Sequence, residues 1–488
     1  LDGLYEKLNA YARTDFYPFH MPGHKRNPET GPLAPFYRLD ITEIDGFDDL
    51  HHAEGILRDA QERAARVYHA DETHFLVNGS TVGILSAILG TTEKGDSILV
   101  ARNCHKSVYH AIYLNELDPV YLYPKFDTEQ GLSTEIDAAD VQKALEEHPK
   151  IRAVMIVSPT YDGVVSDIEK IAEIVHAKGC PLIVDEAHGA HFGFDPYFPK
   201  SANIYGADLV INSLHKTLPA LTQTALLHVN GDMVKRRKVK QYLDMLQTSS
   251  PSYILMASID ACIGMLEETL ETHSDARSDY KYKNIFSEYA NRIEALRKDL
   301  KRLKYLKIIQ TDNTDRYDRS KFVISVKHAP MSSHELYEIL LHRYHLQMEM
   351  LAGTYVLAMT TVGDTQEGLD RLRDALLEID KEIDTKQGRP AAIETDLPLS
   401  GRQPALEKVW TIAEAVNRRD KIQKRSFEDS IGCISVEYAY LYPPGSPLIV
   451  PGERITKEAV EILHWYQEHD FSIEGLQSED GIEVWIDG

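Results

Sequence analysis

From about residue 75 to residue 230, short apolar segments alternate with amphipathic stretches, a pattern that few folds can satisfy. The apolar segments, which we predict to be strands, are THFLV (73–77), DSILVAR (96–102), PVYLY (119–123), RAVMIVSP (152–159), PLIVDEA (181–187), ADLVINS (207–213) and TALLHV (224–229). The stretches between them, such as 141–147 and 168–178, have the apolar spacing of helices. This alternation indicates an α/β fold with a mainly parallel seven-stranded sheet covered on both faces. Ligands of such sheets bind beyond the carboxyl ends of the strands.

The 488 residues are too many for one ordinary core, so we predict several segments. An N-terminal arm (1–55) is rich in Pro, Gly, His and Asp and cannot build a packed core alone. We expect it to lie on another part of the protein. The large domain (56–285) holds the alternating region, and apolar spacing predicts a helix over 54–69 at its start.

Two smaller segments are predicted to follow the large domain. The first is a small α+β domain (286–390), which a charged helix over 275–305 introduces. Its clearest elements are a strand at 321–327 and a helix at 334–343. A C-terminal α+β segment (391–488) comes next, and there YPPGSPLIVPGE (442–453) is expected to exclude regular structure because of its prolines.

Charge and cysteine usage restrict the partners and the compartment. The formal net charge is −23, which argues against nucleic acid or an anionic membrane as partner but permits cationic small molecules. The four cysteines are scattered, without a CxxC pair or clustered histidines, so neither a disulfide framework nor a metal site is expected. No apolar run has the length of a membrane span and no signal-peptide segment opens the chain, so we expect a cytoplasmic protein.

The segment FLVNGSTVG (75–83) predicts a strand, a tight turn and the start of a helix. Backbone N–H groups at a helix N-terminus, together with the hydroxyls of Ser80 and Thr81, would form a cradle for a phosphate group. The alternative is that the two hydroxyls only cap the helix.

Two further strand ends carry side chains that could take part in catalysis or ligand binding. Asp185 follows a very apolar strand, where a carboxylate needs a cationic or hydrogen-bonding partner because burying it alone is costly. A capping or metal-binding carboxylate is the alternative. Ser213, His215 and Lys216 follow the next strand, where desolvation would make the lysine amine a nucleophile. A solvated loop lysine is the alternative there.

A phosphate turn, then an Asp, then Ser-x-His-Lys is the order found in fold-type I pyridoxal 5′-phosphate (PLP) enzymes, the aspartate-aminotransferase-like fold. The chain resembles the Orn/Lys/Arg decarboxylases of that fold, in the shorter form typical of Gram-positive bacteria. That form lacks the N-terminal wing domain of the larger relatives. The matching stretches lie between residues 20 and 453: HMPGHK, TEIDGFDDLHH, FLVNGSTVG, ARNCHKSVYHA, SPTYDG, VDEAHGAHFG, SLHKTLPALT, QTSSPSY and YPPGSPLIVPGE.

The resemblance implies a role for each residue of the site. Lys216 would carry PLP as a Schiff base, Asp185 would pair with the pyridine nitrogen, and His105 would stack on the ring. His188 would lie beside the phenolic oxygen, a position that tends to hold Trp in the larger bacterial relatives. The phosphate would be held by Ser80, Thr81, Ser213 and His215.

The segment TSSPSY (248–253) resembles one that reaches the phosphate of the neighbouring subunit. Ser249 and Ser250 would then supply hydroxyls to the partner's cofactor site. This implies a homodimer or a dimer of dimers. A turn that serves only its own chain is the alternative.

The reaction implied is decarboxylation of a basic L-amino acid, with arginine preferred over lysine and lysine over ornithine. The products would be CO₂ and a polyamine-pathway amine, and Lys216 or His215 would return a proton to Cα. A cationic substrate side chain needs carboxylates, which the arm could supply. Candidate substrate-binding residues are His20, His24, Glu43, Asp45, Asp48 and Asp49. Each of these could equally be an ordinary polar residue of a loop.

Two other functions remain open from the sequence. One is an aminotransferase or another lyase on the same cofactor, which would usually hold the substrate carboxylate with an arginine of the small domain. Arg343 and Arg371 are the residues there that could do so. The other is a catalytically silent protein that binds amines, against which the complete set of His105, Asp185 and Lys216 argues.

Overall fold

The computed structural model describes residues 3–271, 281–309, 314–385, 403–418, 420–441, 445–469 and 471–486. The chain forms two compact units, each built from two stretches of sequence. The first unit comprises Leu1–Thr91 and Pro181–Glu288, and the second comprises Thr92–Cys180 and Tyr289–Gly488. The division into four segments stays a prediction, because each unit combines chain from more than one of them. Helices and strands are numbered below in chain order.

The first unit contains four strands: β1 (Glu72–Leu76), β7 (Leu182–Asp185), β8 (Leu209–Asn212) and β9 (Ala225–Val229). They lie side by side in the order β1–β9–β8–β7. β7 and β8 are parallel, whereas β9 is antiparallel to both of its neighbours. The helices are α1 (Leu4–Ala12), α2 (Ala34–Tyr37), α3 (Ile56–Val67), α4 (Gly79–Thr91), α8 (Leu214–Thr217), α9 (Arg236–Leu246) and α10 (Tyr253–Glu271), with a 3-10 turn at Leu50–His52.

Close packing between α4 and α9 fixes the helix that follows β1. A Cβ on Gly90 of α4 would lie 2.9 Å from the Cα of Val239 in α9. Only a residue without a side chain permits this approach, since protein interiors are packed to crystal-like density. α4 is therefore held against α9.

The second unit contains three parallel strands in the order β6–β2–β3, together with smaller sheets. The parallel strands are β2 (Ser97–Ala101), β3 (Asp118–Leu122) and β6 (Ile151–Val157), and a short hairpin is formed by β4 (Phe126–Asp127) and β5 (Leu132–Ser133). Its helices are α5 (Lys106–Leu114), α6 (Ala138–Glu147), α7 (Ile168–Ala177), α11 (Ile285–Leu300, mostly in this unit), α12 (Ser333–His342), α13 (Gln366–Thr385), α14 (Ile412–Asn417) and α15 (Lys457–Glu468).

The remaining strands of the second unit form three antiparallel sheets. One contains β10 (Lys307–Ile309), β11 (Lys321–Ser325), β12 (Met350–Leu351) and β13 (Tyr355–Met359), in the order β10–β11–β13–β12. The other two are built from β14 (Ile422–Arg425), β15 (Ile434–Ser435) and β19 (Ile482–Trp485), and from β16 (Ala439–Leu441), β17 (Pro447–Ile449) and β18 (Ile473–Glu474). An α+β C-terminal segment is therefore present, as predicted.

The seven predicted strands are all present, four in the first unit and three in the second. The predicted helix at 54–69 is confirmed at Ile56–Val67, and the helix at 334–343 at Ser333–His342. The latter begins at a capping box formed by Ser332 and Glu335. Of the helix predicted at 275–305, Ile285–Leu300 is helical, and residues 272–280 lie outside the described residues.

One prediction about regular structure is wrong. Residues 442–453 were expected to exclude it, but Pro447–Ile449 forms strand β17, which pairs with β16. β17 lies at the edge of its sheet, where a proline without an N–H group can be tolerated. Residues 442–444 lie outside the described residues. In the described part of the chain, no helix is long and apolar enough to cross a membrane.

Candidate active site

The turn between β1 and α4 has the geometry of an anion cradle. Gly79 begins the helix with φ of +73°, a conformation that favours glycine, and its N–H donates to the carbonyl of Gln223 at 3.0 Å. A Cβ at this position would meet no atom within 4 Å, so the turn faces open space. Ser80 and Thr81 lie in the first turn of α4, one half-buried and one exposed. Both hydroxyls are therefore beside the N–H groups of a helix N-terminus, where anions bind.

The residues after β8 place an amine and two hydroxyls together. The Nζ of Lys216, in the short helix α8, donates a hydrogen bond to Nε2 of His188 at 3.1 Å. Ser213 is fully buried, and its Oγ has no hydrogen-bond partner among the described residues. The same holds for Oγ1 of Thr217, one residue beyond the lysine. Buried hydroxyls without partners are rare in proteins, so these two fit a site that a polar ligand completes.

His215 is held beside this lysine by the backbone. Its Nδ1 donates to the carbonyl of Thr224 at 2.9 Å, which leaves Nε2 as the nitrogen that can accept a proton. Burial lowers the pKa of His215 below its usual value. The lowered pKa favours the neutral imidazole, whose Nε2 can take up a proton and, once protonated, donate to a phosphate oxygen or return the proton.

Asp185 is the last residue of β7 and is 4 % exposed. One carboxylate oxygen accepts the N–H of Ala187 at 3.0 Å. Burial raises the pKa of Asp185, whereas the charge of Lys216 and this N–H group act to lower it. Burial makes the charged form of this carboxyl costly. A cationic partner such as a protonated pyridine nitrogen would offset that cost.

A second buried carboxyl, Glu186, was missed by the sequence analysis. Its oxygens accept from the hydroxyl of Ser201 at 2.8 Å, the N–H of Ala202 at 2.7 Å and the amide of Asn212 at 3.1 Å. Burial raises the pKa of Glu186 to about 7, although these three donors act to lower it. The signal available in the sequence was the second acid of VDEAHG, two residues after the apolar run LIV of β7.

The Glu186 contacts continue into a buried chain of hydrogen bonds. Asn212, the last residue of β8, uses its amide oxygen to bind Nε2 of His228 at 3.0 Å. Nδ1 of His228 in turn contacts the hydroxyl of Thr73 at 2.8 Å. Burial lowers the pKa of His228 to about 3, so this imidazole stays neutral. The network joins β1, β9, β8 and the end of β7, next to the positions of Asp185 and Lys216.

His105, in the second unit, is the N-cap residue of α5. Its Nδ1 accepts the N–H of Ser107 at 3.2 Å and lies 2.9 Å from the hydroxyl of the same residue. The ring is half-buried. Its orientation is therefore defined by local hydrogen bonds, and its stacking role stays a prediction.

The two arm histidines, His20 and His24, contact neighbouring aromatic and acidic side chains. Nε2 of His24 lies 3.1 Å from a carboxylate oxygen of Asp40, and the ring stacks on Tyr37 with centroids 4.3 Å apart. Nε2 of His20 lies 3.1 Å from the hydroxyl of Tyr11. Both contacts organise the arm, and the substrate-binding role of these histidines stays a prediction.

The four acidic candidate residues of the arm differ in how their oxygens are used. Asp48 accepts four backbone N–H groups, from Asp49, Glu54, Gly55 and Leu57. Burial acts to raise the pKa of Asp48, but these donors outweigh it and lower the pKa. Asp49 caps the following 3-10 turn by accepting the N–H of His51 at 2.8 Å. Both carboxylates thus serve to hold the local backbone.

Glu43 and Asp45 are not used in this way. Oε1 of Glu43 is buried and has no hydrogen-bond partner in the part of the chain that the structure describes. Asp45 is exposed. A buried carboxylate oxygen without a donor is costly, so Glu43 is the arm acid best suited to a bound cation.

The hydroxyl-bearing segment at 248–253 lies beside the anion cradle of its own chain. The N–H of Thr248 donates to the side-chain oxygen of Asn78 at 3.3 Å, and its carbonyl lies 2.8 Å from Nε2 of His51. Ser249 and Ser250 are both exposed. Their service to a partner's site stays a prediction.

Comparison with known proteins shows the family of the chain. The family model for the major domain of Orn/Lys/Arg decarboxylases matches residues 2–345, and the model for the C-terminal domain of the same enzymes matches residues 402–484. The protein YaaO of Bacillus subtilis, which is named as uncharacterized, is 36% identical over 94% of this chain and 93% of its own length. An arginine decarboxylase of the same organism is 31% identical over 94% of this chain and 92% of its own length.

A solved structure shows the same fold. The lysine decarboxylase LdcF of Francisella novicida superposes with a TM-score of 0.83 at 19% sequence identity, covering 99% of this chain and 81% of that one. The predicted fold class is therefore confirmed. With both family models matched and a relative above 30% identity over nearly its whole length, the chain belongs to the Orn/Lys/Arg decarboxylase family.

Proposed function

We propose that the protein decarboxylates a basic L-amino acid with PLP as cofactor, with Lys216 holding the cofactor through Nζ. The observation that carries this proposal is the group of side chains at the ends of β7 and β8. There an amine held by His188, the buried carboxyl of Asp185, and the hydroxyl of Ser213, which has no partner among the described residues, belong to one compact unit. Family membership supports the same reaction.

The N–H groups, hydroxyls and carboxyl of this site suit the phosphate and the pyridine nitrogen of PLP. When bound, PLP supplies an electron sink for the electrons released at Cα as the carboxylate leaves. The N–H groups and hydroxyls at the start of α4, together with Ser213 and His215, would hold its phosphate. Asp185 would keep the pyridine nitrogen protonated. His105 would stack on the ring, a role that the family resemblance supports.

Proton transfer is the remaining task of the chain's own residues. Nζ of Lys216 and Nε2 of His215 are the two groups that we assign to returning a proton to Cα. His188 supports Lys216, because Nε2 of His188 accepts a hydrogen bond from that amine. An acceptor at this distance can take up a proton when the amine must react as a nucleophile.

We further propose arginine as the preferred substrate, ahead of lysine and ornithine. The support is the similarity to an arginine decarboxylase over almost the whole of both chains. Glu43 is our candidate for binding the cation of the substrate side chain, because its buried Oε1 has no donor within the described part of the chain. We also propose a cytoplasmic homodimer or dimer of dimers. None of the four cysteines, all within the described residues, forms a disulfide, which suits a reducing compartment.

An aminotransferase is disfavoured by the surroundings of the two candidate arginines. The guanidinium of Arg343 donates to the carboxylates of Glu378 and Glu382 at 2.6 to 2.9 Å. The guanidinium of Arg371 donates to the carbonyls of Tyr344 and His345 at 3.0 and 3.2 Å. Both are committed to partners within the protein, so neither is suited to clamp a substrate carboxylate.

The test is a substrate panel of arginine, lysine and ornithine with purified, PLP-loaded protein. Products are identified by mass, CO₂ is measured, and pyruvate is added in a parallel series. Agmatine with stoichiometric CO₂ and no keto acid is the expected result. A keto acid formed only with pyruvate would instead indicate an aminotransferase. Absence of both products with all three amino acids would favour the silent amine-binding protein.

A further inference from the structure

The loop that carries His105 is attached to the C-terminal part of the chain by a buried ion pair. Arg102 is the first residue of this loop, directly after β2. Arg102 is fully buried, and Glu453 is 1 % exposed. Nη2 of Arg102 lies 3.0 Å from a carboxylate oxygen of Glu453. An unpaired buried charge costs several kcal/mol, so breaking such a pair from one side is strongly unfavourable.

Two further hydrogen bonds of the Arg102 guanidinium reach the same short segment, while Nη1 also donates to the hydroxyl of Tyr109 at 3.2 Å. Nη1 donates to the carbonyl of Pro447, and Nη2 donates to the carbonyl of Leu448 at 3.2 Å. The same carboxylate oxygen of Glu453 also accepts the N–H of Val450, within the segment, at 2.8 Å. The guanidinium and the carboxylate thus join residues 445–453, which we name the C-terminal clasp, to the start of the His105 loop.

The clasp also contacts the residues on both sides of His105. The hydroxyl of Ser446 donates to the carbonyl of Asn103 at 2.8 Å. The N–H of Lys106, in the first turn of α5, donates to the carbonyl of Gly445 at 3.1 Å. The backbone is therefore fixed two residues before the imidazole and one residue after it.

We propose that the C-terminal clasp positions the His105 ring for cofactor binding, with Arg102, Ser446 and Glu453 as positioning residues. This inference rests on the proposed function, because it takes the stacking role of His105 as given. A ring that stacks on a planar cofactor must be held at one orientation, and pre-organisation by supporting contacts raises affinity. The hydrogen bonds between Nδ1 of His105 and Ser107 orient the ring relative to its backbone, and the clasp fixes that backbone on both sides. The C-terminal segment thereby contributes to cofactor binding through His105.

The test compares Glu453→Gln and Ser446→Ala with Glu407→Gln. Glu407 forms an ion pair with Arg454 at 2.7 Å in the same part of the chain, but both side chains are largely exposed, which makes it a matched control. The PLP dissociation constant is measured by titrating the apoprotein. Hydrogen exchange of the amides in residues 103–110 is followed in the apoprotein as well.

We expect about tenfold weaker PLP binding in Glu453→Gln, by analogy with the loss of affinity when a partner that supports a metal ligand is removed. Exchange at the Lys106 amide should accelerate in both clasp variants. The control should match wild type in both measurements. Ser446→Ala removes one hydroxyl only, so it keeps the test valid if Glu453→Gln does not fold. Unchanged PLP affinity and exchange in a folded clasp variant would overturn the inference.

A double-mutant cycle with His105→Ala separates positioning from general destabilisation. If the clasp acts through His105, Glu453→Gln should weaken PLP binding no further once the imidazole is absent. An equal further loss in that background would contradict the inference and leave the proposed decarboxylase intact. If His105→Ala itself has no effect on PLP binding, the stacking role is wrong and the inference fails with it. Failure of the proposed function is recognised separately, by absence of decarboxylation in wild type.

Discussion

Nζ of Lys216 donates a hydrogen bond to Nε2 of His188 across 3.1 Å, joining the residues after β8 to those after β7. His188 is 6 % exposed, so water competes little for this contact. We expect His188→Phe to slow the incorporation of PLP into the apoprotein by about 100-fold, the usual size of a proton-transfer contribution. Stopped-flow absorbance after mixing with PLP measures this rate. A rate equal to that of wild type would show that Lys216 reacts without help from His188.

Replacing Lys216 by Ala should abolish turnover while the fold is retained, because no strand of the first unit depends on that amine. Decarboxylation and far-ultraviolet circular dichroism are measured on the same preparation. Lys94→Ala is the control, since Lys94 is exposed and forms an ion pair with Glu116. Substantial CO₂ release by Lys216→Ala at full PLP loading would remove this lysine from the mechanism.

Asp185→Asn should retain some PLP but lose about 10²- to 10³-fold in kcat, as when one preorganised charge partner is removed from an active site. An amide cannot oppose a positive charge on the pyridine nitrogen, although it fits the same space. Steady-state kinetics with arginine, with PLP content determined separately, gives the result. Near-normal kcat would mean that another residue holds the ring nitrogen.

The pH dependence of stability should report on Glu186. Burial raises its pKa in the folded state to about 7, above its value of 4.5 in the unfolded chain. The folded state therefore binds more protons between these values, so Glu186 lowers stability as pH rises from about 4.5 to 7, by up to about 1.4 kcal/mol per pH unit. Urea unfolding of the apoprotein at pH 5, 6 and 7 should show a smaller decline in Glu186→Gln than in wild type. Parallel declines in the two proteins would place the pKa of Glu186 outside this window.

The strands were predictable because their apolar character is local, whereas the buried network required knowledge of which strands are neighbours. Thr73 and His228 are 155 residues apart and meet only because β1 pairs with β9. The sequence marked Asp185 and Lys216 by their positions after apolar strands. It could not distinguish Asp48 from Glu43, because backbone donors around each carboxylate depend on the path of the chain.

Assembly gives the last prediction, which concerns Ser249 and Ser250. If their hydroxyls complete the phosphate site of a second subunit, the active unit is at least a dimer. Both side chains are exposed in the single chain, so they are accessible to a partner. Lys216→Ala protein and a Ser249→Ala/Ser250→Ala protein should each be inactive alone. The exposed pair can be replaced without leaving a core cavity, so folding should be unaffected.

After subunit exchange, a mixed dimer of these two proteins would contain one site with both defects and one with neither. Random exchange of equal amounts makes half of the dimers mixed, so about a quarter of wild-type activity should return. Native mass spectrometry checks that mixed dimers form. If they form and no activity returns, the hydroxyls serve their own subunit, in keeping with the contact between Thr248 and Asn78 in the same chain.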